Sequence, residues 1–436
     1  MKFKQKVVAT SLLLLSTSAQ ANEEFEQIWK TIADRSLSLK SSEEMVSASE
    51  KNKTRMARHW MPTIYATGSS YVTNDPGANM FGLLSERSIK QSDFAPDDLN
   101  HPGSNLFSKA SIGINFPLYE GGMKNSIAKA SEYQFEAKKL EKGTHERELF
   151  SEVAKSYFMF QSLEKYNQEI SKIQKTLDSI IGRYQLGNKS NMLGYSGILG
   201  LRSLKNRILA LTDESSAKQR AFLQSLEELK GEKIRLSKKE QDLYLADMNK
   251  YLSSTQNEYK GSQKVSALNQ TARAATEMIG AEKSRNLPRI GVFTEGNAFN
   301  GSRKTATGYS AGLYLHWNLF SGSDTGASDE AIHNSHAAKY FAEANSQKEK
   351  IEFNALSEME STLVKTISTL EESQKLLDEQ TVVANSLFKN GMINALQLTE
   401  VLSRRVDLLK SKNEVELNLI ETKSKKMQLT TNTLSF

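Results

Sequence analysis

The chain has 436 residues, 38% of them hydrophobic and 25% charged, with 6 prolines and no cysteine. That balance is the balance of an ordered chain long enough for two or three domains. The lack of cysteine excludes disulfide scaffolds, cysteine-ligated zinc, iron–sulfur clusters, thiol catalysis and a lipidated N-terminal cysteine. A mean hydropathy of −0.51 argues against a bundle of membrane-spanning helices, and composition alone points to a soluble, mostly helical protein.

The first segment reads as a secretory signal. Lys2, Lys4 and Lys6 precede an apolar run from Val7 to Leu15, and Ala19-Gln20-Ala21 follows. A basic head, a core too short to span a bilayer and an Ala-x-Ala site place the expected cleavage between Ala21 and Asn22. The formal charge of +6 includes those three lysines and no acid from the same segment, so the chain from Asn22 carries +3. Nucleic-acid binding loses its support, because it needs clustered excess charge.

Beyond the signal, period separates strands from helices. Ile64 to Thr73 alternates, with Tyr65, Thr67, Ser69 and Tyr71 on one face and Ile64, Ala66, Gly68 and Val72 on the other. Strands of this kind are expected at about 62–73, 107–118, 289–298 and 309–319, the last with Tyr309, Ala311, Leu313, Leu315, Trp317 and Leu319 on its apolar face. The prolines, Pro62, Pro76, Pro96, Pro102, Pro117 and Pro288, leave long uninterrupted stretches that permit long helices. Leu356, Leu363, Leu370 and Leu377 repeat every seven residues, and so do Val401, Leu408 and Val415. Leu149, Val153, Phe160, Leu163, Ile170 and Leu177 keep to two heptad positions. Such narrow seams are those of coiled coils. They predict long helices at about 121–186, 191–230, 324–390 and 394–432, with a linker or equatorial region at 231–261. At about 1.5 Å per residue the first would approach 100 Å.

The chain is also a duplication, 22–230 and 262–436. Phe116-Pro117-Leu118-Tyr119-Glu120-Gly121-Gly122 has a counterpart in Trp317-Asn318-Leu319-Phe320-Ser321-Gly322-Ser323. Met61-Pro62-x-Ile64 matches Leu287-Pro288-x-Ile290, and Tyr184-Gln185-Leu186-Gly187 matches Phe388-Lys389-Asn390-Gly391. Pro62, Pro117, Gly121, Gly122, Pro288 and Gly322 therefore mark the junctions of strands with helices. Strands with one apolar face suit an outer membrane, where only closed barrels span as β-structure. Bacterial barrels use about eight strands or more, so four must close by oligomerising. Trp60, Tyr119, Trp317 and Phe320 at the strand ends suit an interfacial aromatic belt, although core aromatics would look the same.

The duplicated Pro–strand–strand–(Leu-Tyr/Phe)-x-Gly pattern, the heptad helices and the paired Tyr/Phe-x-x-Gly turns resemble the TolC family of outer-membrane efflux proteins over the whole span 22–436. The resemblance implies a mainly α fold with a transmembrane β portion, assembled as a trimer: a twelve-stranded barrel continuing into a long α-helical periplasmic barrel. It implies a passive export duct with no enzymatic activity and no cofactor. The expected partners are outer-membrane lipid, a periplasmic adaptor (membrane fusion protein) and an inner-membrane transporter of ABC, RND or MFS type, in a tripartite pump or type I secretion system. A periplasmic coiled-coil scaffold or adaptor without a channel is the alternative, and one hairpin flanked by small β domains would not produce this duplication.

The resemblance places the two glycine turns at a periplasmic tip where adaptors dock. One turn comprises Arg183, Tyr184, Leu186, Gly187, Asn188 and Lys189, the other Phe388, Lys389, Gly391, Met392 and Ile393. Simple helix reversal accounts for the glycines equally well. In the family, acidic residues just past the second turn ring the closed mouth; the matching positions are Gln397 and Glu400, with Leu193 in the first half. Only Glu400 is acidic, which weakens a charge-latched gate. Gly194, Gly197 and Gly200 either allow close helix contact or bending, or merely weaken a helix. The long connection from Asn74 to Asn105 is expected outside the cell, folded over or into the barrel mouth; its counterpart, Asn297 to Gly308, is short. Among the histidines only His333 and His336 share a helix face, without further ligands, so no metal site is expected. Phosphate-binding and Gly-x-Ser-x-Gly motifs do not occur.

Overall fold

A computed structural model describes residues 24–183, 192–236, 241–252 and 258–431. The expected cleavage site at Ala21 and Asn22 lies outside them. In chain order the elements are a helix over 24–35 (α1), α2 (Leu37–Ala57), β1 (Thr63–Thr73), α3 (Pro76–Ser85), a 3₁₀ turn at Gln91–Phe94, α4 (Pro96–Asn100), β2 (Asn105–Tyr119), α5 (Met123–Arg183), α6 (Met192–Lys230), α7 (Gln241–Leu252), α8 (Gln263–Lys283), β3 (Arg289–Asn300), β4 (Thr305–His316), α9 (Ala327–Lys389) and α10 (Ala395–Gln428).

These divide into two compact units. One comprises Val46–Lys138 and Leu268–Ala342; the other takes the chain up to Met45, Lys139–Ala267 and everything from Glu343. Each unit therefore draws on both sequence repeats. The chain passes between the units within α2, α5, α8 and α9; α5 and α9, at 61 and 63 residues, outrun an ordinary domain.

The sheet unit holds four antiparallel strands in the order β1-β2-β3-β4. Pro62 and Pro288 stand immediately before β1 and β3, where no ladder donor is needed. Pro117 lies inside β2, at an irregularity in the β2–β3 register between Pro117 and Tyr119. Gly121 and Gly122 take φ of 67° and 86° in the turn into α5. A Cβ on Gly121 would stand 2.8 Å from Leu287 Cβ and 3.0 Å from the Ser284 carbonyl oxygen, so both space and backbone angle require glycine there. In the second half Gly326, with φ 88°, takes the left-handed position, not Gly322.

β4 also departs from expectation. It runs over 305–316, not 309–319, and leaves Trp317, Leu319 and Phe320 beyond its end. Its partner β3 begins at Arg289, which already faces His316, so β3 offers no residue to pair with later ones. β3 reaches Asn300, leaving Gly301 to Lys304 as the turn.

The helical unit has two cores. In one, Ile170, Ile173 and Leu177 of α5 pack with Ile198, Leu201, Leu204 and Ile208 of α6 and Leu398, Leu402, Val406 and Leu409 of α10. The buried line on α10 is thus displaced from Val401, Leu408 and Val415, which are only half-buried, because α5 and α6 cover α10 together. In the other core, Phe25, Ile28, Trp29 and Ile32 of α1 meet Phe150, Val153, Tyr157 and Phe158 of α5 and Tyr244, Met248 and Tyr251 of α7. The Phe25 and Tyr251 rings meet at a tilt of 49° with centroids 4.6 Å apart. The 231–261 segment, expected as a linker or equatorial region, supplies a helix and core aromatics.

Candidate functional site

The first candidate is the turn between α9 and α10. Gly391 adopts φ 70°. The Gly391 amide donates to the Phe388 carbonyl at 3.1 Å and the Met392 amide to the Leu387 carbonyl at 2.8 Å, a left-handed helix stop. Asn394 then caps α10: its Oδ1 accepts from the Gln397 amide and its own amide donates to Gln397 Oε1, both at 3.0 Å. Gln397 thereby has a structural task of its own. Glu400, one turn on, accepts from Arg404 Nε at 2.9 Å, with both side chains largely solvated. A groove of about 830 Å³ beside the turn is lined by Lys175, Thr176 and Ile180 of α5 with Asn385, Phe388 and Lys389 of α9. Ile393 also lines it, and Met392 stands exposed.

The opposing turn is less complete. Tyr184, Leu186, Gly187, Asn188 and Lys189 lie outside the described residues; Arg183 and Leu193 lie in the last and first turns of α5 and α6. Gly197 of α6 is where α6 approaches α10: a Cβ there would stand 2.5 Å from Ala395 Cβ, whereas at Gly200 the nearest atom would be Thr399 at 3.5 Å. Of the two readings of these glycines, close contact holds at Gly197.

The second candidate is the sheet, whose faces differ in chemistry. Register places Ile64, Val72, Leu106, Ile112, Ile114, Val292, Leu313 and Leu315 on one face, all exposed, with Tyr309 at 89%. The other face is polar. Tyr65 Oη donates to Glu295 Oε2 at 2.9 Å, Lys109 Nζ stands 3.4 Å from Glu295 Oε1, and Ser111 Oγ donates to Asn297 Oδ1 at 2.9 Å. Rings on this face lie over glycines directly opposite, Tyr65 over Gly113, Tyr314 over Gly291 and Phe293 over Gly312. Aromatic cover compensates for the missing side chain of a strand glycine. Sequence reading missed these pairs, although alternating glycines on the polar face were their visible signal. Trp60, Tyr119, Trp317 and Phe320 are all exposed near the strand ends.

The 74–105 connection also missed its full description in sequence. Asp75 caps α3 by accepting from the Ala78 amide at 2.7 Å, and Pro76 supplies its first turn. α3 lies on the polar face: a Cβ on Gly82 would stand 2.4 Å from the Phe107 ring, and Phe107 is paired with Tyr71 on the Lys109–Ser111 side. Asn79 Nδ2 donates to the Gly103 carbonyl at 3.0 Å and Asn105 Nδ2 to Asn79 Oδ1 at 3.1 Å. Arg303, in the β3–β4 turn, holds Asp93 with both guanidinium nitrogens, at 2.7 and 2.9 Å. That hydrogen-bonded pairing, helped by the Lys90 amide, keeps the Asp93 carboxyl below its usual range.

Among the described residues no His, Asp and Glu cluster is placed to hold a metal, and no helix is long and apolar enough to cross a membrane.

The family description for outer membrane efflux proteins matches residues 29–230. Solved structures of similar fold include CusC (TM-score 0.75, 12% identity, covering 94% of this chain and 92% of that one). The MtrE outer membrane channel of Neisseria gonorrhoeae gives 0.71 at 14% identity, covering 93% and 88%. VceC, an outer membrane protein of Vibrio cholerae, gives 0.73 at 10%, covering 94% and 97%. A search of the curated proteins finds no match. The fold is that of outer membrane efflux channels, helical with a small β portion. Residues 29–230 are thus similar to the outer membrane efflux protein family, as the resemblance to TolC proteins implied. That family is not a family of enzymes.

Proposed function

We propose that three copies of this chain form a passive exit duct through the outer membrane, continuous with a periplasmic helical barrel that receives substrate from an adaptor and an inner-membrane transporter. The observation that carries the reading is the sheet: one apolar exposed face, one polar face, and two edges, β1 and β4, each paired on one side only among the described residues. In lipid an unpaired edge is too costly to persist, so β1 of one copy pairs with β4 of the next and twelve strands close. The apolar face then meets lipid and the Tyr65–Lys109–Glu295 face lines water. Exposed apolar residues along α9, Ile351, Met359, Leu376 and Val382 among them, support contact with neighbouring copies in the helical part.

The α9–α10 turn supports adaptor docking through its basic, apolar-lined groove, and Glu400 supports a weak cation-attracting ring at the mouth, tempered by Arg404. A tripartite pump and a type I secretion system use such a duct alike. Purified protein is expected to have a trimeric mass in detergent and to give discrete conductance steps in planar bilayers. A monomeric mass without conductance, or recovery of the protein from the soluble periplasm, refutes the duct and favours the scaffold reading.

A further inference from the structure

We propose that α3 is a self-association surface that closes the outer end of the duct, through contact of its Phe81–Leu84 face with the same face of two further copies. The inference rests on the trimeric reading above.

α3 has two opposite faces. Asn79, Gly82 and Leu83 are buried against the polar side of the sheet. Gly77, Phe81 and Leu84, spaced i, i+4 and i+7, point directly away from it, with Phe81 70% and Leu84 49% exposed. No residue of α3 is charged, so the helix lacks what a solvated surface helix carries. Because α3 sits on the polar face, closing the sheet puts it inside the barrel mouth, away from lipid. Twelve strands about 4.8 Å apart and tilted about 40° enclose a radius of about 12 Å. A helix about 10 Å thick on the wall reaches nearly to the axis. Three of them leave no room for water between their outward faces, and the only surface available to cover Phe81 and Leu84 is the same pair from the other copies.

Several contacts hold α3 in this place. Glu86, the residue that caps the C-terminal end of α3, is 1% exposed, with its carboxylate seated on Gly301 and accepting from the Lys304 amide at 3.3 Å and from Ser88 Oγ at 2.7 Å. Arg87 follows in the left-handed region, φ 54°, the one non-glycine residue with positive φ among those described. Its guanidinium donates to the Thr307 carbonyl of β4 at 2.9 Å, a contact that the strained backbone makes reachable. The bidentate Arg303–Asp93 pair then straps the rest of the connection to the same β3–β4 turn. A loop merely covering the surface would not need three ties to the β3–β4 turn and the start of β4.

The chain's lack of cysteine makes the test direct. Purified full-length Phe81→Cys, treated with copper–phenanthroline in detergent, is expected to give a disulfide-linked dimer that reductant reverses; Leu313→Cys, on the outward apolar face, is expected to give none. Leu84→Cys serves the same purpose if Phe81→Cys fails to fold. Arg303→Ala, which leaves the contact face intact, is expected to lower the cross-linking yield several-fold. In planar bilayers the Phe81→Ser/Leu84→Ser double variant is expected to conduct at least about twofold more than the parent chain. A trimer in which neither cysteine cross-links overturns the contact, and unchanged conductance overturns the closure. A monomer in detergent overturns the duct itself.

Discussion

Gly197 and Gly200 look alike in sequence, two glycines three residues apart in a long helix, yet their surroundings differ. A methyl at Gly197 would meet Ala395 Cβ at 2.5 Å, at the first residue of α10, where the helix has no freedom to retreat from its own cap. Gly197→Val is therefore expected to cost about 2 kcal/mol through overpacking. Gly200→Ala should instead add up to about 1 kcal/mol, since it relieves a helix-interior glycine at ordinary contact distance from Thr399. Denaturation midpoints of the two purified variants against the parent chain check both signs. Gln397 carries the same lesson: its place in the sequence suggested a gate, and its side chain is engaged in capping α10.

At the scale of elements, α9 and α10 are held in register by charge as well as by apolar packing. Arg405 pairs with Asp378 at 2.7 Å and Lys412 with Glu371 at 3.2 Å. Lys423 and Lys426 converge on Glu360 at 3.4 and 2.8 Å. Burial pushes the Lys423 amine below its usual value, and Glu360 opposes that shift. The charged form is thus maintained at a desolvation cost that lasts until pH rises to the ordinary lysine range. Removing the shared acid by Glu360→Ala leaves two buried cations facing each other, and about 3 kcal/mol of stability should go with it. Replacing all three by Glu360→Leu, Lys423→Met and Lys426→Met should restore most of it. Thermal unfolding of the single and triple variants at neutral pH distinguishes a buried network from a dispensable surface pair. The heptads announced a seam between long helices, whereas which residues enter it depended on α5 and α6 covering α10 together.

For the whole molecule the two faces of the sheet are decisive. Ala311 and Ser310 are neighbours at the middle of β4 and lie on opposite faces, Ala311 with Leu313 and Ser310 beside Glu295. Ala311→Arg should cost about 2–4 kcal/mol at the membrane midplane. It should sharply reduce the amount of protein recovered in the outer membrane. Ser310→Arg should assemble normally and shift the reversal potential toward anion selectivity. Equal effects of the two would mean that the apolar face does not meet lipid. The two repeats do not form two domains: each unit takes a part of both, because paired strands from the two halves make one sheet and paired helices make common cores.

What the sequence determined by itself was local and periodic. The period of two marked the strands, the seven-residue spacing and scarce prolines marked the long helices, and the glycines at 121, 122 and 391 marked left-handed turns, since backbone sterics act within a few residues. The repeat followed from the same signals. Tertiary structure alone decided where β4 stops, which glycine meets a neighbouring helix, and that the 231–261 segment joins a core. It also decided that α3 lies on the polar face of the sheet and that Arg303 straps Asp93 across 210 residues. Those outcomes depend on partners distant along the chain, and a residue's spacing from its neighbours carries no record of them.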